Sequence, residues 1–239
     1  MYGIDFSLLG TDSPDMERNL QELEAALRRG VTVVLVLPDH PNLGRAFTDA
    51  ALHRLRQAVP EAVTEGRLQV FCLATSITVD NAEHYRPIYV HAKVAIVDDL
   101  WATVGSANLN NRGMRDDTEM NVATLDAELA VGLRMMLLAE HVGLMSEEEL
   151  LTVSRHLGGQ RQVQSADQRA VVLLQQLLST MDNPLIGLQM MIDCAQDNLR
   201  RYEAKQPLVG HLLPYLTATE ARQHGLHFRE AHGWVELVS

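Results

Sequence analysis

Residues 88–123 bring together one imidazole, one ammonium, two neutral hydrogen-bonding side chains and two carboxylates: His91, Lys93, Ser106, Asn108, Asp98 and Glu119. Ile88 to Asp98 is rich in β-branched and apolar residues, which predicts a strand. Side chains two apart on a strand emerge on one side. His91 and Lys93 are thereby expected on a common face with Tyr89, Ala95 and Val97. Burying such a pair without partners is costly. A phosphate group would meet the need: Lys93 supplies charge, Ser106 and Asn108 supply donors, and His91 can attack or carry a proton. Asp98-Asp99 reads as a turn and Leu100 to Val104 as a second, antiparallel strand. Gly105 allows an unusual backbone conformation or a close approach. Glu119 to Ala123 reads as a further short strand, with Glu119 and Asn121 on one face.

Lysine usage sharpens the point. The chain has two lysines, Lys93 and Lys205, among 20 basic Lys and Arg residues. A lysine held in the middle of an apolar strand stands out against that background.

The pattern His91-x-Lys93-x4-Asp98, then Gly105-Ser106-x-Asn108 and Glu119, resembles the HxKxxxxD…GSxN…E signature of the phospholipase D superfamily. The resemblance implies that His91 is the nucleophile forming a phosphohistidine, or the acid that protonates the leaving group. It implies Lys93, Ser106 and Asn108 as phosphate ligands, and Asp98 and Glu119 as supporting carboxylates, Glu119 fixing the tautomer of a histidine. It implies no metal and no cofactor. It also implies two HxK motifs per active site, whereas Lys205 has Glu203 two residues before it and no second His-x-Lys exists here. The chain thus resembles the C-terminal half of a bacterial phospholipase D-like protein, tightly over about residues 13–142 and loosely beyond.

With 239 residues, 46% hydrophobic and 21% charged, the chain can bury a sizeable core. A net charge of −11 argues against a broad nucleic-acid surface, which needs clustered Lys and Arg, though not against a local anion site. Cys72 and Cys194 make no disulfide framework, and Cys72 falls in an apolar stretch as a core residue. No apolar run reaches the roughly 18–20 residues of a membrane span, and no basic-then-apolar leader opens the chain. The expectation is a cytoplasmic protein with contact at the periphery of a membrane.

The elements that must position the site follow in order. Ser13-Pro14-Asp15 starts a helix that Gly30 terminates, and Val31 to Leu37 is a buried strand. The loop after it carries His40, a candidate for the substrate entrance and more commonly a solvated residue. Ala46 to Val59 is a helix stopped by Pro60, and Arg67 to Leu73 a third strand. Ala74 to Pro87 reads as an irregular loop shaping access through Tyr85 and Arg86. Arg112 and Arg115 sit in turn chemistry, able to meet a phosphate or to pair with Asp116 and Asp117. Asp126 caps a helix to His141. Helices then open at Ser146 and run over 165–181 and 183–202, with Met190-Met191 as core filler, before a loop-rich tail carrying Trp234. His224, His227 and His232 match no metal-ligand spacing.

The expected fold is α/β, a mixed β-sheet flanked by helices, with a phospholipase D-like domain over 1–145 and a helical extension over 146–239. The expected function is metal-independent phosphodiester hydrolysis or phosphatidyl transfer on a phospholipid. A second copy, or a separate chain, would supply the second HxK motif. The alternatives are a half-enzyme or phosphate-binding pseudoenzyme that needs a partner, and a homodimeric nuclease-type phosphodiesterase. Hydrolase and transferase share one intermediate, so the residues leave that choice open.

Overall fold

A computed structural model describes residues 14–39, 45–110, 112–157, 168–224, 226–229 and 234–237. The strand Val33–Val36 (β1) consists of valine and leucine, which suits a strand covered on both faces. It runs parallel to the start of Leu68–Val79 (β2), Val33 opposite Leu68 through Val36 opposite Phe71. On one side of these strands Pro14–Arg28 (α1) and Arg45–Ala58 (α2) bury Leu27, Leu52 and Leu55 against Leu35 and Leu37. Pro60 does more than stop α2: it opens a further helix, Pro60–Thr64 (α3), because a first helical turn loses nothing by the missing N–H.

The other side is covered by Ala127–His141 (α4), Glu147–Leu157 (α5), Gln168–Met181 (α6) and Pro184–Glu203 (α7). Here Val36, Phe71 and Val94 from the strands join Met135, Leu177 and Met191 from the helices in one cluster. Asp126 caps α4 as expected, its carboxylate accepting the Glu128 and Leu129 amides at 3.0 and 3.2 Å.

Three expectations change. The stretch 74–87 is no loop. β2 runs on to Val79 and returns as Ala82–Ile88 (β3), paired from Leu73↔Ile88 to Val79↔Ala82. Asp80 and Asn81 make the two-residue turn with φ of 51° and 61°, the geometry that matches strand twist. Ile77 and Val79 alternate with Ser76 and Thr78, but the run is short and its apolar side chains face solvent, so no buried stripe marks the hairpin.

The strand expected over 88–98 is interrupted. β3 ends at Ile88, residues 89–92 form a link, and Lys93–Val97 (β4) begins a separate three-stranded antiparallel sheet with Trp101–Gly105 (β5) and Asn121–Thr124 (β6). The tail is also less irregular than expected. Leu212–Pro214 (β7) pairs antiparallel with β2, Cys72 opposite Leu213. Ala218–Gln223 (α8) follows behind a Thr217–Glu220 capping box, and Leu226–Arg229 (β8) pairs with Trp234–Leu237 (β9).

Candidate active site

Lys93 opens β4 and is 7% exposed. Its Nζ donates to the carbonyl oxygen of His91 at 2.6 Å, a charge-assisted bond that fixes the link carrying the imidazole. His91 is exposed, and its ring stacks on Tyr89 with centroids 5.8 Å apart and planes 27° apart. Val90 between them is buried in the core. The two residues therefore meet through the backbone of the 89–92 link and not by sharing a strand face, which corrects the alternation argument.

Register brings the rest of the set alongside. Lys93 lies opposite Gly105 on β5, and Gly105 opposite Asn121 on β6. Lys93 and Asn121 are thus two strand spacings apart, roughly 10 Å. The loop leaving β5 carries Ser106 and Asn108. Ser106 is zipped to β6, its N–H donating to Met120 O and its Oγ accepting from Met120 N, both at 3.1 Å. A hydroxyl has one donor and two acceptor lone pairs, so the Ser106 proton is not used by that amide. Glu119 is half-buried immediately before β6, one residue from this zipper; the strand begins too late for it to share a face with Asn121 as expected.

Asp98 is not brought to the imidazole. With Asp99 it makes the β4–β5 turn, φ 53° and 55°, five residues and roughly 16 Å along the strand from Lys93. Asp99 anchors that turn: Arg134 of α4 donates to its two oxygens at 2.7 and 2.9 Å. Arg134 also donates to Met181 O and Asp182 O at the end of α6, at 2.7 and 3.1 Å.

Sequence reasoning passed over two positioning features. Asn110, 2% exposed, accepts the Gly113 amide on Oδ1 at 2.7 Å, starting a single π-type turn over Arg112–Asp116. Gly113 packs so closely on Asn108 that a Cβ would lie 2.6 and 2.7 Å from its backbone O and N. The Asn-Asn-Arg-Gly run was visible only as turn chemistry. Asn121 lies against Gly105 in the same way, a Cβ there falling 2.2 Å from Asn121 Oδ1.

The other expected residues divide. Tyr85 is structural: its hydroxyl donates to Gln206 O at 2.8 Å and its ring meets Tyr202 edge-on at 4.7 Å. Arg86 and Arg115 are exposed. His40 and the Arg112 side chain lie outside the described residues, as do the His227 side chain and His232; His224 is exposed at the end of α8. Among the described residues no group of three His, Cys, Asp or Glu side chains is arranged to hold a metal ion. Cys72 is buried in the core, and that burial pushes its thiol up to about 12, which keeps it protonated. No helix among the described residues is long and apolar enough to cross a membrane.

Residues 5–136 match the family described as "Cardiolipin synthase, PLD-like domain", and residues 72–224 match "Phospholipase D". The chain belongs to the phospholipase D superfamily. Cardiolipin synthase A of Pseudomonas aeruginosa (strain LESB58) is 35% identical over 127 residues, 53% of this chain and 22% of that protein. Cardiolipin synthase A of Pseudomonas syringae pv. syringae (strain B728a) is 31% identical over 118 residues, covering 49% and 21% of the two chains. That of Pseudomonas fluorescens (strain SBW25) is 33% identical over 116 residues, covering 48% and 20%. The matched segment spans about a fifth of the length of these curated relatives. Within the matched segment, the His-x-Lys and Gly-Ser-x-Asn runs of the sequence lie at the entry to β4 and in the β5–β6 loop.

Proposed function

We propose that this phospholipase D-like chain catalyses phosphatidyl transfer, or the matching hydrolysis, at a phospholipid phosphodiester. The observation that carries the reading is the buried Lys93 ammonium, bonded to the backbone of His91 one strand away from the Ser106–Asn108 loop. His91 attacks phosphorus through a ring nitrogen, the P–O bond to the leaving alcohol breaks, and a second, protonated imidazole gives that alcohol its proton. An incoming alcohol, or water, then displaces the histidine and returns a proton to the second imidazole. Lys93, Ser106 and Asn108 stabilise the charge on the phosphoryl oxygens. The names of the curated relatives support an alcohol as acceptor and a phospholipid as substrate.

The second imidazole comes from a second copy of this chain about a two-fold axis. What supports this is the surface beside the site. Val104 and Val122 face outward as cross-strand neighbours, flanked by Met120 at 78% and Leu125 at 83% exposure. Apolar side chains so exposed, gathered at one edge, mark an interaction surface.

The test is turnover of phosphatidylglycerol vesicles by wild type and His91→Asn, with chelator present. The expected result is product in wild type only, undiminished by chelator, with cardiolipin marking transfer and phosphatidic acid marking hydrolysis. Activity that survives His91→Asn, or that chelator abolishes, overturns the mechanism. Specific activity that does not fall on dilution, in a monomer by light scattering, overturns the two-copy site.

A further inference from the structure

We propose that Asn121 is a positioning residue, which aims Ser106 and Asn108 by holding the peptide between them. This rests on the reading of those two side chains as phosphate ligands. Asn121 Oδ1 accepts the Ala107 N–H at 3.1 Å, and Asn121 Nδ2 donates to Thr103 Oγ1 at 3.3 Å. Thr103 in turn donates to Val122 O at 3.0 Å. The planar amide is held at both ends, and the Ala107 N–H, which can meet only the amide oxygen, by itself sets which end is oxygen. Fixing Ala107 N fixes the 106–107 peptide plane, from which the Ser106 and Asn108 side chains both take their direction.

The glycine of the Gly-Ser-x-Asn run follows from the same contact. Gly105 has no need of an unusual φ here; it is small because Asn121 Oδ1 and the Met120 carbonyl oxygen occupy the space of its missing Cβ, 2.2 and 2.4 Å from where that atom would stand. Any side chain at 105 would push the amide off Ala107. Asn121 and Val122 are exposed, so the contact buries little, and its loss costs the fold far less than it costs the loop. A misplacement near 1 Å of groups that touch substrate can lower rates by ~10²-fold.

The experiment compares the wild-type chain with Asn121→Ala and Thr103→Val. Three quantities are read: hydrogen exchange of the Ala107 amide, binding of inorganic phosphate by titration calorimetry, and the thermal midpoint. Thr103→Val removes the other bond of Asn121 and serves as the control for a merely structural role. In Asn121→Ala, Ala107 exchange is expected to rise at least tenfold and phosphate affinity to fall about tenfold, at a midpoint close to that of wild type. In Thr103→Val, phosphate affinity is expected to stay within about threefold of wild type. Unchanged Ala107 exchange in Asn121→Ala overturns the inference by itself, whatever the phosphate result. Equal losses of affinity in the two variants also overturn it, since strand pairing would then explain both. Wild-type protein that binds no phosphate overturns the assignment of the pocket instead, and the ligand-independent exchange result keeps that failure separate.

Discussion

Replacing Lys93 by methionine separates a charge used on substrate from a charge used to hold the fold. Methionine keeps the unbranched stem and loses the ammonium. Two opposing changes in stability follow. The bond to His91 O, 2.6 Å long, disappears; a hydrogen bond to a charged donor contributes ~1.5–3 kcal/mol. Against this, a side chain 7% exposed no longer has to bury a cation, a penalty of several kcal/mol before compensation. The sum lies within about 2 kcal/mol of zero, which for a chain of this size moves the thermal midpoint by less than ~8 °C. Transition-state charge has no such offset. Removing one preorganised donor from a developing oxyanion costs about 2.7–4 kcal/mol, or 10²–10³ in kcat. The assay is therefore paired: differential scanning calorimetry, and turnover of phosphatidylglycerol vesicles with product analysis. A folded variant that loses less than tenfold in kcat would refute the role given to Lys93. A variant that unfolds would show that the ammonium serves the 89–92 link and not the substrate.

Gly113→Ala drives a methyl group to within 2.6–2.7 Å of the Asn108 backbone; it is expected to cost ~1–3 kcal/mol by overpacking and to weaken phosphate binding, read by calorimetry. Arg134→Met leaves the Asp99 carboxylate and two carbonyls unpaired in a part-buried setting. That loss is expected to destabilise by ~3–5 kcal/mol, lowering the midpoint by roughly 6–20 °C. The last prediction concerns acid. Burial works to raise the Glu220 carboxyl, but the Thr217 amide and hydroxyl and the Arg56 guanidinium hold it below its usual 4.5. A depressed folded value gives stabilisation that is full above the unfolded value and lost as pH falls through the folded one. The thermal midpoint is thus expected to drop below about pH 4.5, and less so in Glu220→Gln.

The parts of the molecule that were legible in sequence are those where a local rule has no rival. β1 is valine and leucine throughout, Asp126 caps α4, and the Asp98-Asp99 turn joins two strands. The spacing of His91, Lys93, Ser106 and Asn108 points to the family to which the chain belongs. What alternation misjudged was burial. It set His91 and Lys93 on one face of a continuous strand, while Val90 takes the core and the chain passes from one sheet to the other between Ile88 and Lys93. The β2–β3 hairpin hid because solvent meets much of both faces, and β7 hid because three residues ending in a proline carry no period. Asn121 and Gly113 could not be found by type. Their part lies in close approach to Gly105 and Asn108, which only register reveals.

The pairing of β7 with β2 has a consequence in time. Cys72 and Leu213 stand 141 residues apart in the chain. At ~5–20 residues per second of synthesis, the far edge of β2 waits roughly 7–28 s for the strand that closes it. In that interval Lys93, Ser106, Asn108 and Asn121 have all left the ribosome, while Phe71 to Leu73 present an open, apolar edge. Assembly is therefore late and non-local. A nascent chain arrested before Leu212 holds every side chain of the site and lacks the strand that seals the sheet beneath it.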